Sequence, residues 1–250
     1  MRKILYHVAC VLFFATAQAQ AAGSEPPCYA MLSLIGDKLD IVSYQTQIGS
    51  NIERNLHEAL LIKDPLFDNE AASAAGEAVR RLIPGAALVV LNSRSTALFE
   101  KQRELFEEQD SSIALPDAIK AALKREDATY LILITKHRDG AEFAFSNRTD
   151  GSGKLEGLGY YIDNTVLTRP GEGGETGRGF LAPYVYMKVT LIDAKTSKVL
   201  GKRNVKSSQP VSGSRAIAST NPWDALTTEQ KVRIIEQMIR RETTRVCWSC

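Results

Sequence analysis

Cys247-Trp-Ser-Cys250 ends the chain in the C-x-x-C spacing used by thiol oxidoreductases and by half of a zinc site. A redox cysteine gains its low pKa from a helix amino terminus, whereas Cys247 follows a helical pattern and meets its carboxyl end, where the dipole disfavours a thiolate. A zinc site would need a second cysteine pair or a histidine cluster, and beyond the leader only His57 and His137 are present. Gly171 to Gly179 and Gly151-Ser-Gly-Lys154 are rich enough in glycine to cradle a phosphate, yet neither has the Gly-x-x-x-x-Gly-Lys-Ser/Thr pattern or a following helix. Asp150, Ser152 and Glu156 open like a calcium loop, but its sixth and twelfth positions hold Leu155 and Tyr161 instead of glycine and a carboxylate. Hydrolysis would draw on Ser93 or Ser95 with His137 and Asp139, and none of these lies in a nucleophile elbow. The residues therefore supply no complete catalytic constellation, and no cofactor or metal is expected.

The address is more explicit. Arg2 and Lys3 precede an apolar run from Ile4 to Ala17, short of the roughly 20 residues needed to span a bilayer. Ala17-Gln-Ala19 and Ala19-Gln-Ala21 follow in the register read by a signal peptidase, so residues 1–22 are read as a secretory signal peptide. Cys10 is embedded in the apolar core and is not placed for lipidation. The mature part, 23–250, is expected to be a single soluble periplasmic domain without a transmembrane segment. A formal charge of +2 gives no reason to invoke nucleic acid. An oxidising compartment favours pairing two of Cys28, Cys247 and Cys250, and the sequence does not choose which.

The elements that would position these groups alternate between strands and helices, which predicts an α/β (α+β) fold with a mixed central sheet, flanking helices and a C-terminal helix. Residues 29–35 and 38–44 read as strands joined by a Gly36-Asp37 hairpin turn. Asp68 reads as the N-cap of a helix reaching Arg81, followed by a buried strand at 86–91. A surface helix spans 95–109, another starts near Pro116, and 129–135 is a central strand. Residues 183–206 form a hairpin about Ala194-Lys-Thr-Ser197. The last helix begins at Thr227, with Gln230 completing a capping box.

Between them, residues 146–180 are glycine-rich and poor in aliphatics, and read as an excursion from the domain. Its residues Tyr160, Tyr161, Arg178 and Phe180, with Tyr184 just beyond, form the expected contact surface for a partner. A competing reading makes the excursion a substrate lid of a periplasmic hydrolase or carbohydrate-binding enzyme, with Asp150, Glu156, Asp163 and Glu172 converging on one cleft.

Two segments carry a family resemblance. Leu123-Lys-Arg-Glu-Asp-Ala-Thr-Tyr-Leu-Ile-Leu-Ile134 is similar to the helix-then-strand step, and Tyr184-Val-Tyr-Met-Lys-Val-Thr-Leu-Ile-Asp-Ala-Lys-Thr-Ser-Lys-Val-Leu200 to the strand-Asp-turn-strand hairpin, of certain periplasmic α/β domains. These occur in the curli-secretion channel subunit, in outer-membrane activators of penicillin-binding proteins and in the amino-terminal domain of TolB. The resemblance implies a non-catalytic accessory protein that binds an envelope protein or a peptidoglycan-associated partner. It names no functional residues, and the oligomeric state is not legible.

Overall fold

The computed structural model describes residues 26–45, 55–145, 149–168, 177–212 and 221–247. Residues 1–22, where a signal peptide is expected, lie outside them. A large mixed sheet runs through the molecule in the order β3 (Leu56–Leu61), β2 (Lys38–Ser43), β11 (Lys154–Thr168), β12 (Gly177–Asp193), β7 (Tyr130–Lys136), β1 (Cys28–Ser33) and β4 (Ala87–Leu91). β13 (Val199–Ser208) and β14 (Val211–Ser212) also pair with β12, and β8 (Arg138–Gly140) pairs with β11. The expected α/β architecture is therefore present.

β12 organises the sheet because it serves two neighbours in succession along one edge. Its first half, Phe180 to Tyr186, pairs antiparallel with β11, and Met187 to Asp193 pairs with β7. β13 runs along the other edge, from Tyr184 to Ile192. The branch falls at Tyr186 and Met187. There His137 N donates to Tyr186 O at 3.0 Å, and the chain leaving β7 continues as β8 beside β11. Gly157, at φ +69°, turns β11 past this junction, and a Cβ on it would press on Lys136 Cγ at 3.1 Å.

Side-chain alternation along these strands builds three apolar clusters. Met31, Ile132, Ile134, Tyr160, Val185, Met187 and Val189 face α1 (Leu66–Leu82) and α5 (Thr228–Cys247). On the opposite face, Ala30, Leu32, Leu131, Leu133 and Ile192 pack under α2 (Thr96–Glu100), α3 (Gln102–Leu105) and α4 (Asp117–Arg125) together with Phe106, Ile113 and Ile119. The third cluster lies beyond the branch and is aromatic: Phe143, Tyr161, Phe180, Tyr184 and Tyr186. Short pairs β5 (Glu108–Gln109) with β6 (Ser112–Ile113), and β9 (Phe143–Ala144) with β10 (Thr149–Asp150), complete the structure.

Several elements depart from their sequence reading. β1 and β2 are not a hairpin: β1 lies between β4 and β7, parallel to both, and β2 lies between β3 and β11. Asp68 does not cap α1, whose N-cap is Pro65. Its buried carboxylate instead accepts from Ser33 Oγ at 2.6 Å, Ile35 N at 2.9 Å and Gly36 N at 3.1 Å, so it holds the crossing from β1 to β2. β4 is a half-exposed edge, with Val90 44% exposed. The helix expected over 95–109 is broken into α2 and α3, and the chain beyond it turns into β5.

The described residues of the glycine-rich stretch lie mostly in β11 and the start of β12, which pair antiparallel in the middle of the sheet. Its glycines serve close packing at Gly159, where a Cβ would lie 2.0 Å from Asp40 O and 2.6 Å from Tyr184 Oη. The β12–β13 hairpin and the capping box match the sequence reading. Thr227 N donates to Gln230 Oε1 at 2.8 Å, and Gln230 N to Thr227 Oγ1 at 3.3 Å.

Candidate functional site

Four of the five residues expected to face a partner are in the core. Tyr160, Tyr161, Phe180 and Tyr184 are each at most 1% exposed. Tyr160 Oη donates to Lys231 O at 2.6 Å, and Phe180 stacks on Tyr161 with ring centroids 6.0 Å apart. Burial pushes the Tyr160, Tyr161 and Tyr184 phenols above their ordinary range, so all three remain neutral. Tyr160 belongs to the cluster that faces α1 and α5, and Tyr161, Tyr184 and Phe180 to the aromatic cluster, so their side chains are buried within the protein. Arg178 pairs through its backbone with Leu167 in the β11–β12 ladder, and its side chain lies outside the described residues.

Of the lid carboxylates among the described residues, Asp150 and Asp163 both act on the Tyr161 phenol, whereas Glu156 is drawn away to Arg103. Asp163 Oδ1 accepts from Thr165 N at 2.6 Å inside the sheet, whereas Glu156, seven residues earlier in the same strand, pairs with Arg103 at 2.9 Å. Asp150 accepts from Gly151 N at 2.9 Å, and Glu172 lies outside the described residues. Ser93 Oγ accepts from Ser95 N at 3.1 Å in a local turn. Cys28 forms no disulfide; its Sγ donates to Glu126 O at 3.7 Å. The Cys247 side chain and Cys250 lie outside the described residues.

The structure assembles a site that the sequence reading did not contain. On the face of β12 that supplies Tyr184 and Tyr186 to one apolar cluster and Ile192 to another, the intervening positions are Lys188 and Thr190. Lys188 stands opposite Thr135 of β7 and Asn204 of β13, and Thr190 stands opposite Lys202. Thr135, Lys188, Asn204 and Lys202 of this polar stripe form the floor of an open cleft of about 840 Å³, walled by α3 and Glu108 on one side and by His137, Arg138 and Lys154 on the other, while Thr190 is buried beside it. It lies at the carboxyl end of β7, where the sheet branches, the kind of position at which open α/β sheets take ligands.

One buried amide fixes the α3 wall. Gln102 Nε2 donates to Leu34 O at 3.0 Å beyond β1, and its Oε1 accepts from Lys136 N at 2.7 Å at the end of β7. The rim ion pairs are Arg103 with Glu156, Lys136 with Asp37, and Lys202 with Glu108 at 2.5 Å. Lys188 has no ion pair among the described residues. Burial, then the nearby Lys202, lowers its pKa. Burial likewise lowers that of His137, against the opposing pull of Asp139, whose Oδ2 lies 3.7 Å from His137 Nε2. The hydroxyls of Thr135 and Thr190, residues 2% and 1% exposed, have no hydrogen-bond partner among the described residues. Orphaned buried hydroxyls cost about 1–3 kcal/mol each, so a floor of this composition does not stabilise the fold.

No family model matches the chain, and no curated protein does. Among solved structures it is similar to a DUF330 protein from Xanthomonas campestris, at 10% identity over 89% of this chain and 83% of that one, with a TM-score of 0.36. A neuraminyllactose-binding hemagglutinin homolog from Helicobacter pylori is similar at 10% identity over 91% and 86%, TM-score 0.39. A lipoprotein from Neisseria meningitidis is similar at 10% identity over 86% and 97%, TM-score 0.30.

Proposed function

We propose that this is an exported, non-catalytic accessory protein of the bacterial cell envelope that holds a partner against the cleft at the sheet branch. The observation that carries this reading is the polar stripe of Thr135, Lys188 and Thr190 set between two apolar clusters, where continued apolar alternation would have made a more stable sheet. Polar groups retained at such a cost are accounted for by a ligand that pairs with them. Export rests on the charged, apolar and small-residue segments of residues 1–22. No helix among the described residues is long and apolar enough to cross a membrane.

The reading is tested by photo-cross-linking in cells with the reactive residue placed at Arg138 or Lys154 on the cleft wall. Leu82, exposed on the α1 side of the sheet, is the control position. Discrete adducts from the two cleft positions and none from the control are expected. Equal yields at all three, or no adduct from the cleft, would overturn it.

A further inference from the structure

The cleft also indicates what kind of group it receives. Its lining carries six cations, at Arg103, Lys136, Arg138, Lys154, Lys188 and Lys202, and three carboxylates, at Glu104, Glu107 and Glu108; Arg103, Lys136 and Lys202 are held in ion pairs with Glu156, Asp37 and Glu108, and Lys188 on the floor is in none among the described residues. Cations gathered in one concave wall focus a positive potential into it. Four of the six are lysines, which attract an anion such as phosphate as point charges, without the fixed bidentate geometry of an arginine fork.

The floor adds directional donors. Thr135, Lys188 and Asn204 occupy one cross-strand row, so a hydroxyl, an ammonium and an amide stand side by side on neighbouring strands. Thr135 is buried and its hydroxyl is unpaired, and Lys188 beside it is half-buried without a carboxylate partner among the described residues. Donors of three different shapes in one row suit a tetrahedral oxyanion with several acceptor oxygens better than a planar carboxylate with two.

We infer that the Thr135–Lys188–Asn204 row is the seat of a phosphate group, either free or carried as a lipid headgroup. This rests on the cleft being the binding face. Lys188 supplies the charge, Thr135 and Asn204 donate to separate phosphate oxygens, and the surrounding lysines draw the anion in.

The test is calorimetric titration of the mature full-length protein with inorganic phosphate. It is paired with sedimentation on phosphatidylcholine vesicles made with and without phosphatidylglycerol. Saturable phosphate binding at or below about 10 mM is expected. Lys188→Met should weaken it at least about tenfold and Thr135→Val about threefold, in line with losing a charged and a neutral hydrogen bond. Urea midpoints of both variants serve as the check on folding, and both substitutions place apolar side chains on a floor flanked by apolar clusters.

Binding to inorganic phosphate alone assigns a free phosphate or small ester, and binding also to the anionic vesicles assigns a headgroup. Failure to bind either, or unchanged binding by folded Lys188→Met, overturns the seat. Cross-links from Arg138 and Lys154 without phosphate binding would remove the seat and leave the partner reading intact. Lys188-dependent phosphate binding without cross-links would do the reverse.

Discussion

Asp68 Oδ1 lies 2.6 Å from Ser33 Oγ, and this contact ties the first turn of α1 to the point where the chain leaves one half of the sheet for the other. The same oxygen accepts from two backbone amides, Ile35 N and Gly36 N. A side chain forty residues downstream of β1's start therefore decides where β2 can begin.

Removing that carboxylate leaves two buried amides and a hydroxyl unpaired. Asp68→Ala is expected to cost about 3 kcal/mol or more, at the usual 1–3 kcal/mol for each orphaned group. Burial raises the Asp68 pKa above the ordinary carboxylate value, against the pull of Ser33 and the two amides, so the neutral form is the better tolerated one. The part of its contribution linked to protonation is full below the unfolded pKa of about 3.9 and is lost as pH rises through the higher folded value, whereas the three hydrogen bonds accepted by Oδ1 are available to both forms. Asp68→Asn, neutral at every pH, should therefore be milder than Asp68→Ala at pH 7 in urea denaturation.

Gly159 has no room for a methyl group. Its Cβ would meet the backbone oxygen of Asp40 at 2.0 Å, and backbone cannot swing aside as a side-chain tip can. Gly159→Ala should separate β2 from β11 and cost about 3 kcal/mol or more. Amide exchange would show this as protection lost first from residues 39–43.

His137 gives stability a dependence on pH. Burial lowers its folded pKa below the ordinary value, so the folded state binds fewer protons than the unfolded state between that lowered pKa and about 6.5. Its contribution is present above 6.5 and is lost as pH falls through the folded pKa. The charged groups acting on it are Asp139, which opposes the lowering, and Lys188 and Lys206, which add to it. His137→Gln should flatten the stability profile between about pH 5 and 7, and an unchanged slope would reject the assignment.

Cys28 is expected to be a slow, unbridged thiol. Burial and the neighbouring Asp127 and Glu126 raise its pKa, which suppresses the reactive thiolate. With Cys28 free, the pairing left to an oxidised mature chain is Cys247 with Cys250. Alkylation under denaturing, non-reducing conditions should label one thiol per chain, and Cys28→Ser should label none. Three labels in the parent would exclude the terminal bridge.

The sequence disclosed those features whose cause is local. The capping box of Thr227 and Gln230, the apolar stripe of α5 at Ile235, Met238 and Ile239, and the turn between β12 and β13 all arise within a few residues, and each is present. The β1–β2 crossing was misread because Gly36-Asp37 supplies turn chemistry whatever follows, whereas the contact that diverts the chain comes from Asp68. The extent of the β11–β12 pairing was not legible because the glycines of 146–180 suggested an excursion, when Gly159 exists to let two strands and a tyrosine ring meet. The cleft was not legible at all. Its cations are drawn from positions between 103 and 202, and nothing in their spacing announces that β7, β12 and β13 align Thr135, Lys188 and Asn204.

β12 also sets how the chain can be divided. Its first half closes the sheet that holds β2 and β3, its second half closes the sheet that holds β1 and β4, and it is among the last strands to be synthesised. A fragment ending before residue 177 would leave the inner edges of β7 and β11 unpaired, two open templates for aggregation. β1 must in turn wait about a hundred residues for β7, so most of its pairing is distant in sequence and folding is expected to be slow. Neither half of the sheet is a module that could be exchanged, duplicated or expressed by itself: a single strand makes both of them indivisible.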